Sequence, residues 1–365
     1  MRIVFAVHTY FPEKNGVQAV TQYIAEKLAA KNEVIVIVSK NGNMELPEQE
    51  VNNGVNIIRL TAFCRPRSHH YIGEKEKYIK LLKELSPELF VCVCTQSWQF
   101  DWLEKYIGQI VGKKILYTHG FSGLCDYADN RYKGLSHMMR EIRHKVFWKN
   151  YYCNYNKLMK SFDLITHLSA ASESLRYAEK NGLVSNCILG NAVEDIFFDR
   201  PVCYSEKKFI DIRPLRFICV SNFNPIKNQE GIIAAFFQAE LGDSELVLIG
   251  SERTSYCEQL MTMCETQKKK RVEFLTNKTR EEISEYLSES DVFVTTSLWE
   301  GYSVAVLEAA AKGLSIISTD VGNAHVIPGV ITVNSLKELP YIMEEIYQNG
   351  RIRMKQGQLL RCYAE

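Results

Sequence analysis

The sequence predicts an α/β protein built as two doubly wound domains in tandem. Three observations carry that expectation. Strand-like apolar runs alternate with helical patterns, the alternation occurs in two separate series, and 365 residues exceed what one ordinary core accommodates.

The first series opens with "RIVFAV", passes through a loop to "VQAVTQYIAEKLAAK", and returns as "EVIVIVSK". The middle segment repeats its apolar residues at helical spacing, whereas the outer two are continuous apolar runs. "VNIIRL", "LFVCVC", "KKILYTHG" and "DLITHLSA" extend the strands, and "EKEKYIKLLKEL" and "FDWLEKYIGQIV" the helices. The second series runs through "LRFICVSNF", "GIIAAFFQAEL", "LVLIGS", "RVEFLT", "EEISEYLSES", "DVFVTTS" and "LSIISTD". Between them, "NAVEDIFFDRPVCYSEKKFIDIRP" is polar, carries Pro201 and Pro214 and shows no period. The expected organisation is a first domain over 1–195, a linker over 196–214, a second domain over 215–345 and a helical tail over 346–365.

Composition narrows the function classes. Lys and Arg number 44 against 43 Asp and Glu, a balance that argues against a general nucleic-acid binder. Eleven cysteines without any C-x-x-C pair suit a reducing compartment, and Cys92 and Cys94 read as small buried apolar fillers. The apolar run before His8 is too short for a signal peptide, and no run approaches the roughly 18 residues of a membrane span. A cytoplasmic location is expected, with contact at the inner face of the cell membrane left open.

In open α/β sheets ligands bind beyond the carboxyl ends of the strands, so the residues that follow each strand are the ones to inspect. One such stretch, "SLWEGYSVAVLEAAAKG", keeps Glu300 and Glu308 eight positions apart in a mostly apolar segment. Gly301 permits a sharp turn and Ser303 suits a helix N-cap, which would leave the amides of Gly301, Tyr302 and Ser303 at the positive end of a helix dipole. That arrangement favours a phosphate or a sugar hydroxyl. Glu308 can accept two hydroxyl hydrogen bonds, as a ribose diol offers. On spacing alone it serves equally as a surface ion-pair partner of Lys312, four residues on.

These residues carry a resemblance. "SLWEGYSVAVLEAAAKG" resembles the E-x7-E segment of retaining glycosyltransferases of the GT-B fold, in the GT4 family (glycosyl transferases group 1). "VSNFNPIKNQEGIIAAF" looks like that family's strand, loop and helix with the phosphate-binding lysine. "LVLIGS", "VEFLTNKTREEISEYLSESDVFVTTS" and "GNAHVI" follow in the family's order. In the first half, "FPEKNGVQAVTQYIAEKLA" is similar to its glycine-rich first loop and helix, "ILYTHG" to its strand ending in histidine, and "ILGNAVEDIFF" to its crossing into the second domain.

The resemblance implies roles residue by residue. Glu300 would contact the reactive face of the donor sugar, the amides of Gly301, Tyr302 and Ser303 the sugar and diphosphate, and Glu308 the nucleotide ribose. Lys227 would neutralise the leaving diphosphate, His119 would lie near the reacting sugar, and the backbone of Gly16 would approach the donor phosphates. Departures from the pattern stand beside these matches. Asn15 precedes Gly16 where a second glycine is common, and Thr276 stands where a glycine is usual. Asn222 occupies the donor-side position of a common arginine, a loss that Lys227, helix N-termini and Arg253 would have to offset. The tail "MKQGQLLRCYAE" looks shorter than the family's last crossing helix.

No D-x-D metal motif is found, so the expected reaction uses no metal and no cofactor beyond the nucleotide-sugar donor. The implied function is a retaining hexosyltransferase-type enzyme acting on a glycan or lipid-linked acceptor in surface polysaccharide biosynthesis (capsule, lipopolysaccharide or exopolysaccharide). The alternative is a non-catalytic nucleotide-sugar-binding subunit, with Asn222 as a mark of lost turnover. A nicotinamide dehydrogenase should show G-x-G-x-x-G after its first strand, where this chain offers only Gly16. Residues 131–160 hold eight Lys/Arg against the single acid Glu141, interleaved with Met, Trp and Tyr. Such a segment suits an anionic membrane carrying the acceptor, or a solvated helix face.

Overall fold

The computed structural model describes all residues except 14, 44, 66–69, 122–134, 184, 202–213 and 266–270. It divides into two compact units, Met1–Ala192 and Val193–Glu365. Most of the linker expected over 196–214 lies outside the described residues, as do residues 131–134 of the basic segment.

Unit 1 contains, in order, β1 (Arg2–Val7), α1 (Gly16–Ala29), β2 (Glu33–Ser39), β3 (Gln49–Asn52), β4 (Val55–Leu60), β5 (Ala62–Cys64), β6 (Tyr71–Gly73) and α2 (Lys75–Leu85). These are followed by β7 (Leu89–Val93), α3 (Trp98–Asp101), β8 (Lys113–Tyr117), α4 (Leu135–Met159), β9 (Leu164–His167), α5 (Glu173–Lys180) and β10 (Asn186–Ile188). Eight strands form one sheet in the order β10-β9-β8-β7-β1-β2-β4-β3, and only β3 runs antiparallel to its neighbour. The chain winds outward from β1 through β2, then resumes on the other side of β1 with β7. The switch point therefore lies between β1 and β7.

The segment expected as a helix over Phe100–Val111 is instead the last part of α3, turns, and a 3-10 turn at Ile107–Gln109. Its amides reach back mostly three residues (Tyr106 to Leu103, Gln109 to Tyr106, Ile110 to Ile107), so a tighter coil buries the same apolar side chains. Trp98 and Trp102 pack on Tyr78 with ring centres 5.1 and 6.1 Å away, and that packing overrides local helix propensity.

Helix α4 resolves the expectation for the basic segment into two parts. Trp148, Tyr152, Leu158 and Met159 are buried in the core, whereas Met138, Met139, Ile142 and Val146 are 51–56% exposed. Arg143, Lys145 and Lys149 are exposed beside them.

Unit 2 contains β11 (Arg216–Val220), α6 (Gln229–Gln238), β12 (Glu245–Gly250), α7 (Ser255–Glu265), β13 (Arg271–Thr276), α8 (Arg280–Ser288), β14 (Val292–Thr295), α9 (Val304–Lys312), β15 (Ser315–Thr319), β16 (Ile331–Val333), α10 (Leu339–Gln348) and α11 (Gly350–Ala364). Its six strands are all parallel, in the order β13-β12-β11-β14-β15-β16. Alternate residues face opposite sides, so each face carries its own core. Phe217 and Cys219 join Ile233 and Phe236 on one side, and Ile218 joins Phe293, Val306 and Ala310 on the other. Fully burying each large side chain contributes about 1.5–3 kcal/mol. Helix α11 is part of this body: Arg361 donates to the carbonyls of Phe198 and Ala311, and Ser315 bonds Gln356.

Among the described residues, no helix is long and apolar enough to cross a membrane.

Candidate active site

In unit 2, two loops at the carboxyl rim are fastened to each other. After β11 the chain makes a 3-10 turn, Pro225–Lys227, capped by Asn224, whose side chain accepts from the Ile226 amide at 2.9 Å. The turn ends on Asn228 in the left-handed region, φ 51°, a conformation that asparagine tolerates. Asn228 Nδ2 donates to the Thr296 carbonyl, and Thr296 Oγ1 donates to the Asn228 carbonyl at 2.7 Å. The Leu298 amide bonds the Ile226 carbonyl at 2.8 Å. These three bonds set the loop after β14 against the loop after β11.

That fastening brings Lys227 and Glu300 together across 73 positions of sequence. Lys227 Nζ lies 2.5 Å from Glu300 Oε1, and Ser297 Oγ donates to the same oxygen at 2.9 Å. The pair is only partly exposed, 26% for the lysine side chain and 14% for the glutamate, so solvent screens it less than a surface pair. Gly322, at φ +61°, closes the back of the loop: a Cβ there would meet Glu300 Cβ at 2.9 Å and the Gly301 carbonyl at 3.0 Å.

Ser303 caps α9, its hydroxyl accepting from the Val306 amide. Its own amide does not stay open to a ligand, contrary to the sequence expectation. It donates to Asn323 Oδ1 at 3.1 Å, because the turn after β15 folds back over the helix start. The Tyr302 hydroxyl meets that of Tyr363 at 3.1 Å, tying the loop to α11.

Glu308, two turns into α9, is 2% exposed. It does not pair with Lys312. That lysine is buried as well and donates to the carbonyls of Ile196 and Asp199, and burial lowers its pKa to about 8. Glu308 Oε1 instead takes Arg280 Nη2 at 2.5 Å, and Arg280 Nε bonds Glu194 Oε1 at 2.8 Å. Burial raises the Glu308 pKa, while the Arg280 guanidinium opposes that rise. Asn222 is exposed, and its backbone carbonyl accepts from Gln229 Nε2 at 3.0 Å. Arg253 is engaged by Glu258 in a two-point pair, so its charge is not held ready to replace an arginine at 222.

Unit 1 holds the other two expected site residues. Gly16 opens α1, and Asn15 supplies its N-cap by accepting from the Gln18 amide at 2.9 Å. Asparagine in place of a second glycine therefore has a local reason: it ends the loop and starts the helix. His119 follows β8, with its ring centre 4.6 Å from that of Tyr117. Burial lowers its pKa to about 4 against a hydrogen bond with Asn191, so the imidazole is neutral at pH 7. Gly16 and His119 follow β1 and β8, strands separated in the sheet by β7.

Sequence reasoning gave no role to Arg280 or Glu194, and none individually to Ser297, Asn228, Gly322 and Asn323, although they lie in stretches it singled out. Asn228 and Gly322 had a weak signal as residues that tolerate left-handed backbone. Arg280 had none, since "TREE" reads as a solvated helix start.

Residues 204–328 match the family of glycosyl transferases group 1. Lys227, Arg280, Glu300 and Glu308 all fall inside that span. N-acetyl-alpha-D-glucosaminyl L-malate synthase of Bacillus anthracis is 29% identical over 140 residues, 38% of this chain and 35% of that protein. The match thus spans about a third of that curated relative.

Solved structures match along the whole chain. Sucrose-phosphate synthase from Thermosynechococcus elongatus aligns with a TM-score of 0.71 at 15% identity, covering 100% of this chain and 94% of that one. Anabaena HepE in complex with UDP and glucose gives 0.70 at 13%, covering 100% and 94%. WaaG, a glycosyltransferase involved in lipopolysaccharide biosynthesis, gives 0.64 at 18%, covering 99% and 95%. At these identities the likeness establishes the fold, and the chain has the GT-B fold of two Rossmann-like domains.

Proposed function

We propose that the protein is a retaining, metal-independent glycosyltransferase that moves a sugar from a nucleoside-diphosphate sugar to a glycan or lipid-linked acceptor, in surface polysaccharide biosynthesis. The observation that carries this reading is the partly buried Lys227–Glu300 pair on the rim of unit 2, with Glu308 two turns into the helix that follows. A cation, a sugar-facing carboxylate and a ribose-facing carboxylate are what a nucleotide sugar asks of a site. HepE, solved with UDP and glucose, supplies a precedent for such a ligand on this fold.

In the proposed reaction the bond from the anomeric carbon to the diphosphate oxygen breaks as charge builds on that oxygen. Lys227 neutralises this charge, a preorganised electrostatic contribution that is usually the largest single one. Glu300, held by Ser297 and Lys227, positions the sugar hydroxyls. The acceptor oxygen forms the new bond on the face the diphosphate leaves, and its proton passes to the leaving phosphate. Glu300 Oε1 already receives two hydrogen bonds, which suits positioning better than nucleophilic attack. In unit 1, His119 and Gly16 keep the roles their motif positions imply, His119 as a neutral hydrogen-bonding group near the sugar.

The exposed half of α4, with Met138, Ile142 and Val146 beside Arg143 and Lys149, supports contact with an anionic membrane that presents the acceptor. Absence of cations at Asn222, and Arg253 taken by Glu258, favour the second reading of a binding subunit without turnover. A screen of UDP-, GDP- and ADP-sugars with EDTA present separates the two. Release or transfer of sugar with the donor's anomeric configuration kept, followed by NMR, is the expected result. Binding of a nucleotide sugar with no sugar released, even with acceptors added, would favour the subunit.

A further inference from the structure

The loop after β7, residues 94–97, stands at the switch point of unit 1, where an open sheet places its ligand. Its backbone is unusual for its sequence. Cys94 and Gln96 both lie in the left-handed region, at φ 66° and 58°, and neither is a glycine. Such conformations persist only where the surroundings over-determine them. Here the Cys94 amide bonds the Tyr117 carbonyl at 2.9 Å. The Gln96 amide donates to the Tyr151 hydroxyl at 2.8 Å, and Gln96 Nε2 donates to the Tyr152 hydroxyl at 2.8 Å. From the other side the Tyr71 hydroxyl donates to the Gln96 carbonyl at 3.1 Å.

Tyr151 joins this loop to a buried carboxyl. While its oxygen takes the Gln96 N–H, its own hydroxyl donates to Asp101 Oδ1 at 2.5 Å. Its ring is held by Trp148 and Tyr155, with centres 5.4 and 4.6 Å away. Beside the loop, Ser97 Oγ and His8 Nδ1 are buried and have no hydrogen-bond partner among the described residues. His8 follows β1 as Cys94 follows β7, strands in register at Ala6 and Cys92, and its ring centre lies 6.1 Å from that of Tyr71. Burial lowers the His8 pKa, so these hydroxyls and this imidazole offer no cation to a phosphate at pH 7. Neutral hydroxyl groups suit them.

We propose that Tyr151 is a positioning residue that acts through the Gln96 amide, fixing the loop after β7 to receive an uncharged, hydroxyl-bearing glycoside as acceptor. This inference rests on the glycosyltransferase reading and deepens it on the acceptor side. Removing the phenol oxygen strips the Gln96 amide and the Asp101 carboxyl of a partner at once, and the left-handed backbone at Gln96 loses one of its restraints. Asp101 serves here as an acceptor of a hydrogen bond, not as a charge. Burial raises its pKa to about 7 against the Tyr151 hydrogen bond, so a neutral side chain with an oxygen in the same place should do the same work.

The test compares transfer to water with transfer to a glycoside, in the full chain, for wild type, Tyr151→Phe, Asp101→Leu and Asp101→Asn. The donor is the nucleotide sugar that the wild type hydrolyses. The acceptor probes are octyl glucosides, galactosides and N-acetylglucosaminides in both anomeric forms. Tyr151→Phe and Asp101→Leu should lower kcat/KM for the glycoside by about tenfold, while donor hydrolysis and donor KM stay unchanged. Asp101→Asn, whose amide oxygen can accept from Tyr151, should keep the wild-type values. Tyr152→Phe removes the bond to Gln96 Nε2, should act in the same direction as Tyr151→Phe, and carries the test if that variant is insoluble. Equal losses in hydrolysis and transfer would mark fold support and overturn the inference. So would unchanged transfer in the phenylalanine variants, an Asp101→Asn variant as impaired as Asp101→Leu, or a wild type that hydrolyses the donor but glycosylates none of the probes. A wild type that neither binds nor hydrolyses any nucleotide sugar would overturn the functional reading together with it.

Discussion

The two units share a doubly wound plan but equip their rims differently. In unit 2 the polar groups are ionic and interlocked: Lys227 with Glu300, and Arg280 with Glu308 and Glu194. In unit 1 the groups to set beside them are imidazoles and phenols. His119 and His8 are partly buried and held below their ordinary pKa by loss of solvent, and among the described residues the buried Tyr10 and Tyr117 hydroxyls have no hydrogen-bond partner. A charged, paired rim is preorganised for a diphosphate, because its groups exchange protein partners for ligand without first being dehydrated. Neutral imidazoles and phenols suit hydroxyl-rich, uncharged groups. On the proposed function, donor work would fall to unit 2 and sugar-hydroxyl work to unit 1.

Replacing the charges of unit 2 should break the comparison most severely. Lys227→Met leaves Glu300 without its cation and, on the proposed function, the diphosphate without neutralisation. Loss of one preorganised transition-state donor costs on the order of a hundred- to a thousandfold in kcat. Steady-state rates of sugar transfer for Lys227→Met and Glu300→Gln should both fall by that order, with folding intact by circular dichroism.

An intermediate effect is expected at Gly322. A methyl group there contacts Glu300 Cβ and the Gly301 carbonyl at 3.0 Å or less, and the residue sits at positive φ. Gly322→Ala should displace the Glu300 loop and destabilise the protein by about 1–3 kcal/mol. Thermal unfolding beside donor affinity checks this; unchanged values of both would show that the loop accommodates the methyl group elsewhere.

The smallest effect belongs to unit 1 and sharpens the comparison by pH. The His119 pKa is about 4 in the folded chain against an ordinary 6.5, so the folded state binds this proton less readily than the unfolded one. Its contribution to stability is complete above about pH 6.5 and is lost as pH falls toward 4. His119→Gln should flatten stability across that window, and NMR of the imidazole should find it neutral at pH 7. Protonation near 6.5 in the folded protein would contradict a neutral imidazole at His119.

Much of this was legible in the sequence, for specific reasons. The long strands and amphipathic helices announce themselves by period, and Glu300, Lys227 and Glu308 are conspicuous because charged residues seldom occupy apolar strand-to-helix passages. Strands β5, β6, β10 and β16 have three residues each, too few for a period to register. The Phe100–Val111 stretch has helical spacing but coils more tightly, since tryptophan packing decides its backbone. Arg280 was invisible because its meaning lies in partners 86 and 28 positions away. The open amide predicted at Ser303 was taken by Asn323, a tertiary contact that no local pattern encodes.

The most direct test of the central claim is titration of wild type and Lys227→Met with the nucleoside diphosphate and the corresponding monophosphate, with EDTA present. If unit 2 is a preorganised diphosphate site, the wild type binds the diphosphate without metal. The substitution then weakens diphosphate binding by about tenfold or more while leaving the monophosphate nearly unaffected. Equal losses for both ligands, or no loss for either, would contradict the role given to Lys227 and with it the assignment of donor chemistry to unit 2.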